Sequence, residues 1–471
     1  MPEWLNSGER HGREGQHPGV SLQTVADGGS ISAISKRVIA LMFLVALVDS
    51  YDQISLAFAA PALVAEWGIE KGAMGLVFSV QLFGLLIGGI LFGAIGDRLG
   101  RKFAITSGLI FFGLLSLATM LATNITELTI IRFLVGLGVG GVIPNAIALS
   151  NEFSPRRYQV TAVSLMFIGY VCGGVGGGIV SAWLIPRFGW EVVFLVGGVT
   201  PILLAAFLLF TLPESIRYLA SRDREKSQRE AARLASLMRP DLAIGPETRI
   251  VDETLSVKHP GIGQLFSGPL KAMTLLLWLM YLANSMTAFG LISWLPLLAG
   301  TLGFGHQPAA LATSLTFAGA AFGGVVMSRM VDRSGLGPII IMPAIAIPFV
   351  VGIGFLTGNQ TALLYLLTFM TGFFALGFQN ALHGIGGSIY PTTVRATGVG
   401  WAMAAGKVGG ATGPAVIGVL ISAGAGPQTV FIVAAVPLVV SIIGVAILKG
   451  IYGANVHAAP AQRAALAEGV L

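Results

Sequence analysis

The sequence predicts an all-α integral membrane protein whose twelve transmembrane helices form two pseudo-symmetric six-helix bundles. Three observations carry this expectation. The first is composition: of 471 residues, 54% are hydrophobic and only 11% charged, with a mean hydropathy of +0.81, whereas a soluble chain carries about 25% charged residues. The second is a series of apolar runs, each close to the ~17–25 residues that span a bilayer. The third is an internal repeat at an offset of 235–236 residues. Together they exclude a disordered chain, a fibre and an ordinary soluble enzyme.

The runs lie at 38–66, 73–95, 103–123, 128–150, 158–184 and 191–212, then at 271–298, 309–331, 338–357, 361–386, 396–422 and 428–449. They are too long and continuous for the alternating strands of a membrane barrel. A polar segment over 1–35 precedes them and has no apolar core with a cleavage site, so no signal peptide is expected. The expected order is a tail over 1–35, a bundle over 36–212, a linker over 213–270, a second bundle over 271–449 and a tail over 450–471. The 64 glycines suit helices that must approach closely in lipid, where the hydrophobic effect does not drive them together. A single cysteine, Cys172, excludes an internal disulfide and any Cys-rich metal site.

Charge sets the topology. The N-terminus, the alternate loops and the C-terminus together hold 24 of the 28 Lys and Arg residues. Ten of these fall between Arg217 and Lys271. Only Lys71 and Arg187 lie on the other side, and Arg132 and Lys407 fall within spans. The positive-inside rule then places both termini in the cytoplasm of a multi-pass plasma-membrane protein, the inner membrane if bacterial. The net charge of +6 follows from this bias, so no nucleic-acid partner is implied.

The repeat is visible in single residues. Asp97-Arg98-Leu99-Gly100 matches Asp332-Arg333-Ser334-Gly335, and Pro61 matches Pro296. Ser154-Pro155 with Thr161 matches Tyr390-Pro391 with Thr397. Two parallel copies of six helices imply a pseudo-two-fold axis along the membrane normal and a central site about which the halves rock.

Several motifs carry a resemblance. After the second span the chain reads Gly93-Ala-Ile-Gly-Asp97-Arg98-Leu-Gly100-Arg101-Lys102, and the fourth span reads Arg132-Phe-Leu-Val-Gly136-Leu-Gly138-Val-Gly140-Gly141. Both are similar to signatures of the major facilitator superfamily, and the likeness covers roughly residues 36–450. Asp49-Ser50-Tyr51-Asp52, Pro144-Asn145, Ser150-Asn151-Glu152-Phe153, Pro213-Glu214-Ser215 and Tyr390-Pro-Thr-Thr-Val-Arg395-Ala-Thr-Gly-Val-Gly-Trp401 resemble segments of its aromatic acid:H⁺ symporter family. The resemblance implies the major facilitator fold and proton-coupled import of a small organic anion, an aromatic carboxylate such as a benzoate or hydroxybenzoate, by alternating access. It also implies that Asp97, Arg98, Arg101, Glu152, Arg156 and Arg395 belong to a gating latch at the helix ends. Ser50 stands at a glycine position of that family. Lys407 stands at an arginine position, which keeps the charge and gives up bidentate carboxylate recognition.

The residues themselves point to a site. Asp49 and Asp52 lie roughly 16–21 Å into the first span at 1.5 Å per residue, three apart and so on neighbouring positions of one face. An unpaired carboxylate there costs several kcal/mol, so each should meet a cavity, a cation or a proton. Proton coupling by at least one of them is expected, with Arg132 either a relay partner or a structural contact. Lys407, near mid-membrane in the eleventh span, is either the counter-charge for an anionic substrate or a partner of Asp49 or Asp52. Gln379, Asn380 and Gln81 are polar groups at membrane depth, and Tyr51, Phe289 and Trp294 could supply ring faces. His383 reads more readily as a core histidine than as a relay.

No His, Asp and Glu set has metal-ligand spacing, and Gly173–Gly178 lacks the residues of a phosphate loop. No cofactor, metal or enzymatic constellation is expected, and the anticipated partners are a small organic anion, protons and lipid, with the chain a monomer. A sugar or aliphatic carboxylate is the alternative substrate, but Asn284-Ser285-Met286-Thr287 lacks the sugar-porter signature of the seventh span. A non-transporting sensor would need a signalling domain larger than these tails.

Overall fold

The computed structural model describes residues 20–27, 30–222, 224–251, 261–268, 270–334, 340–379, 381–382, 390–391 and 393–456. The first six long helices are α1 (Ala33–Trp67), α2 (Met74–Leu99), α3 (Arg101–Thr119), α4 (Ile125–Glu152), α5 (Gln159–Phe188) and α6 (Glu191–Thr211). The second six are α7 (Leu270–Thr301), α8 (His306–Ser334), α9 (Ile341–Ile353), α10 (Thr361–Gln379), α11 (Arg395–Ser422) and α12 (Pro427–Val456). Ten of them carry a window long and apolar enough to cross a bilayer. α9, at 13 residues, is shorter. The longest, α1, has 35 residues with Asp49 to Gln53 at its middle. Several helices overrun their apolar runs, and a helix longer than the hydrocarbon is accommodated by tilt.

Local chemistry sets the ends. Ser32 caps α1 by accepting from the Ser35 amide at 3.2 Å, and Gly68 ends it in the left-handed region at φ 62°. Asn124 caps α4 by accepting from the Glu127 amide at 2.9 Å, and Glu127 returns the favour by accepting from the Thr123 amide at 2.9 Å. These bonds satisfy donors that a helix start leaves open.

The repeat is repeated in the packing. Glycine lets α2 and α4 touch backbone to backbone: Gly84 and Gly88 lie against the carbonyls of Phe133 and Leu137. The same contact recurs between α8 and α10, where Gly319 and Gly323 lie against the carbonyls of Phe369 and Phe373. Each partner is 235 or 236 positions from its counterpart. Between the halves α2 packs on α11, α5 on α8 and α1 on α7. Moving each helix number by six turns the first pair into the second, as a two-fold axis requires.

The halves do not meet along their whole length. One apolar core joins them over the later parts of α1 and α7, with Phe58, Phe78 and Phe194 beside Trp294, Phe317 and Phe431. There Gly75 meets Gly418, and the Ser314 hydroxyl of α8 donates to the Val175 carbonyl of α5 at 2.9 Å. Toward the other end the core divides. One branch, with Met42 and Phe112, belongs to the first half, and the other, with Tyr281 and Phe378, to the second. The dividing end carries Asp97, Arg101 and Glu152 and is called the charged end below.

Two features at the charged end were not signalled by the apolar runs. Helices over Ile216–Ala220 and Glu225–Met238 occupy the linker, the latter burying Ala231, Leu234 and Ala235. A two-residue parallel pair joins β1 (Val20–Ser21) to β2 (Ile250–Val251), a small departure from the all-α expectation. Arg156 pairs with Asp27 at 2.8 Å, and Arg239 donates to the Thr24 carbonyl at 2.8 Å. The start of the described chain and the linker therefore dock on the same half.

Candidate transport site

Where the shared core divides lies a cavity of 360 Å³, walled by α1, α2 and α5 on one side and α7, α8, α10 and α11 on the other. Its walls are mostly apolar and include Phe78, Phe167, Phe289 and Phe317. The polar groups are few: Gln53, Gln81, Tyr170, Tyr281, Ser285, Ser293, Gln379 and Lys407. An apolar cleft with a few polar groups is the common form of a small-molecule site.

Lys407 projects from α11, but its ammonium lies beside Gly89 of α2; a methyl group at Gly89 would sit 3.0 Å from Nζ. It crosses from one half to the other. Asp49 on α1 is 1% exposed, and Oδ1 has no hydrogen-bond partner among the described residues. The hydroxyl of Tyr170 donates to Gln53 Oε1.

Asp52 has a different setting. It is fully buried and accepts from the Ser116 hydroxyl of α3. Arg132 Nη1 of α4 stands 3.8 Å from its other oxygen. Arg132 is itself sealed from solvent, with Nη2 donating to Thr119 at 3.1 Å and its guanidinium 4.3 Å from the Phe194 ring centroid. This pair lies inside the first half and does not line the cavity. Geometry thus separates these residues: Lys407 reaches across the halves, whereas Asp52 and Arg132 face each other within one.

Gln379 and Phe289 line the cavity, as does Gln81, whose Nε2 donates to the Gln53 carbonyl at 3.2 Å. Tyr51 and Trp294, expected as ring faces for a ligand, do not line it. The Tyr51 hydroxyl donates to the Val193 carbonyl at 3.2 Å. Trp294 is fully buried, donates to the Pro414 carbonyl at 3.0 Å and meets Phe78 edge-on at 5.5 Å. Each buried ring has a polar handle to satisfy, and a carbonyl inside the core satisfies it. Asn380 and His383 lie outside the described residues. The sequence reading, which named Gln379, Asn380 and Gln81, passed over Gln53, Tyr170 and Asn284; polar side chains in spanning helices are the signal for all three.

At the charged end, Arg101 reaches Asp97 at 3.3 Å, Glu152 at 2.8 Å and Asn145 Oδ1 at 3.4 Å. Asp97 is otherwise open, its side chain 72% exposed. Glu152 also accepts from the Ser215 hydroxyl, and Glu214 accepts from the amides of Lys102 at 3.0 Å and Ser215 at 2.8 Å. Burial holds the Glu214 carboxyl above its usual value, opposed by those backbone hydrogen bonds. The Arg98 carbonyl accepts from Arg222 at 2.6 Å, and Arg395 donates to the Tyr390 carbonyl at 3.3 Å. All the contacts of Arg101 named here stay within one half.

A family model described as Major Facilitator Superfamily matches residues 42–342 and 277–468. The chain belongs to this superfamily. It is 34% identical over 433 residues to the 4-hydroxybenzoate transporter PcaK of Pseudomonas aeruginosa, covering 92% of this chain and 96% of that one. It is 36% identical over 419 residues to a gallate transporter of Pseudomonas putida, covering 89% and 92%. A 3-(3-hydroxy-phenyl)propionate transporter of Escherichia coli is 32% identical over 413 residues, covering 87% and 93%. Among solved structures, a bacterial homologue of the human lysosomal transporter Spinster, in an inward-facing and occupied conformation, superposes with a TM-score of 0.66 at 17% identity, covering 90% and 97%. The xylose transporter XylE of E. coli, in a partially occluded inward open conformation, gives 0.65 at 18%, covering 88% and 97%. These two share the fold. The chain is a multi-pass membrane transporter of a small molecule and not an enzyme.

Proposed function

We propose that this transporter imports a small aromatic carboxylate together with protons across the plasma membrane by alternating access, its charged end and both termini facing the cytoplasm. The observation that carries the reading is Lys407, which reaches from one half to the other in the wall of a ring-lined cavity, with the buried carboxylate of Asp49 on the facing half. Lys407 is the one cation lining that cavity among the described residues. At 360 Å³ the cavity lies near the lower end of the roughly 300–1,000 Å³ of ligand sites, a size for one ring and a carboxylate. The names of the relatives, among them 4-hydroxybenzoate and gallate transporters, support the same substrate class.

The coupling follows from charge. While Asp49 is ionised it competes with an anion for Lys407. A proton on Asp49 removes the competitor, so proton and substrate favour each other's binding and travel together. Asp52, held by Ser116 and Arg132, keeps the first half's polar centre intact and does not face the substrate. The latch residues Asp97, Arg98, Arg101, Glu152 and Arg395 act on the opening and closing of the cytoplasmic end.

The test is uptake of a radiolabelled panel of aromatic acids, with sugars and aliphatic acids as controls, into proteoliposomes with and without an imposed pH gradient. Accumulation of an aromatic acid that requires the gradient is expected. Gradient-independent accumulation, or selective uptake of a sugar, overturns the reading.

A further inference from the structure

α10 is not a regular helix. A π-turn occupies Gly372–Leu376, and an inserted residue of this kind shifts the face presented by the turn after it. Gly372 lies against the Thr316 carbonyl of α8 and Gly377 against Gly323, so the irregular stretch is clamped to its neighbour. On leaving the π-turn, α10 turns Leu376 and Gln379 to the cavity.

Gln379 is not a free amide. Its Oε1 accepts from Asn284 Nδ2 at 2.6 Å. Asn284 is fully buried in α7, and its own Oδ1 has no hydrogen-bond partner among the described residues. With its oxygen turned to Asn284, the Gln379 amide carries its N–H groups on its other side, away from Asn284. Gln53 on the facing wall is in the same position, since its oxygen accepts from Tyr170. In each half a neighbour thus takes up the amide oxygen, and the N–H group is the one left without a protein acceptor among the described residues.

We infer that Gln379 is a specificity-determining residue, held donor-outward by Asn284 as a positioning residue, and that it selects aromatic acids whose ring carries a hydrogen-bond acceptor. The inference rests on the aromatic-carboxylate reading above and adds a polarity to it. A ring hydroxyl or carbonyl oxygen satisfies the Gln379 N–H. A ring amine sets donor against donor, and a methyl group leaves the amide unpaired in an apolar cavity, the arrangement in which selectivity for a polar group becomes large.

The experiment is displacement of radiolabelled benzoate from the purified full-length protein by benzoates bearing formyl, hydroxyl, amino or methyl groups at ring position 3 or 4. In the wild type the best formyl or hydroxyl compound is expected to bind at least about fivefold more tightly than its amino and methyl counterparts. Gln379→Leu should remove that advantage, lowering the ratio of formyl- or hydroxyl-compound affinity to benzoate affinity about five- to tenfold. Asn284→Asp, which as a carboxylate can only accept, should turn the Gln379 amide round and move the preference to the amino compounds. Equal losses for benzoate and the formyl compound in Gln379→Leu, or an amino preference in the wild type, overturn the inference. An unchanged preference in folded Asn284→Asp overturns the role of Asn284. Failure of folded wild-type protein to bind any benzoate instead defeats the aromatic-carboxylate reading, and this inference with it.

Discussion

Asp49 and Asp52 are three residues apart on one helix, yet they face different partners. Their spacing alone gives them equal standing. What separates them is their surroundings: Asp52 meets Arg132 and Ser116 inside the first half, whereas Asp49 Oδ1 has no hydrogen-bond partner among the described residues. Their variants should therefore fail differently. Asp49→Asn is expected to abolish uphill uptake while sparing substrate exchange between equal pools, as counterflow in proteoliposomes will read. Asp52→Asn leaves a buried guanidinium without its counter-charge, a change that costs about 3–5 kcal/mol when such a pair is broken. It should appear first as a lowered melting temperature in detergent. If Asp52→Asn is as stable as the wild type and only Asp49→Asn melts early, the two roles are reversed. Lys407→Gln is expected to weaken binding of acids by tenfold or more and of their uncharged amides by less than about threefold. Equal losses would make Lys407 a structural residue. That Lys407 turns inward was legible in the sequence, because a cation at mid-membrane must meet a cavity or a counter-charge; which of the two was not, as the core-bound Arg132 shows. The departure of Tyr51 and Trp294 from the cavity was not legible, since the choice between ligand and core depends on which carbonyl lies within reach.

At the scale of helices, length and apolarity foretold nearly every spanning element, and the abundance of glycine foretold close approach. The contacts themselves, Gly84 and Gly88 against α4 and Gly319 and Gly323 against α10, needed coordinates. So did the π-turn in α10, because one extra residue in a turn leaves no mark in an apolar run. The linker helix Glu225–Met238 escaped for the opposite reason, being amphipathic and highly charged. Its neighbour, the junction after α6, offers a pH test. Glu214 has its carboxyl raised by burial, so the folded state holds its proton to higher pH than the unfolded chain, whose ordinary value is 4.5. The stabilisation this proton brings is complete below that value and is lost as pH rises through the folded one. Glu214→Gln keeps an acceptor oxygen for the Lys102 and Ser215 amides but does not titrate. The stability of the wild type relative to this variant is therefore expected to fall as pH rises above about 4.5, as thermal melts between acid and neutral pH will measure. A difference that grows with pH would show that the backbone hydrogen bonds outweigh burial.

For the whole molecule, the twelve-helix plan and the two-fold relation were legible because each copy must bury the same faces and so repeats the same residues. The conformation was not legible, because one sequence serves every state of the cycle. Here the halves are sealed where Gly75 meets Gly418 and parted at the charged end. A side chain at the seal should act as a wedge. Gly75→Leu, in a background with Cys172→Ser and a reporter Ser285→Cys in the cavity wall, is expected to raise labelling by an impermeant maleimide added from the sealed side and to slow transport. Labelling from the sealed side that stays at the wild-type level would mean that another contact, such as Ser314 with Val175, holds the seal.

The glycine contacts that relate the two halves also say which of their residues are counterparts. Gly173 lies against the Leu47 carbonyl, and Gly409 lies against the Leu282 carbonyl. Two residues on from each carbonyl stand Asp49 and Asn284. One position of the repeat is thus an acid in the first copy and an amide in the second. On the roles proposed above, the acid would answer to the proton and the amide to the decoration of the ring. Each copy is free to drift without taking the other with it. A descendant could acquire a new diet by changes around Asn284 and still be driven by the same ion, and it could change its energy source through Asp49 while keeping its taste.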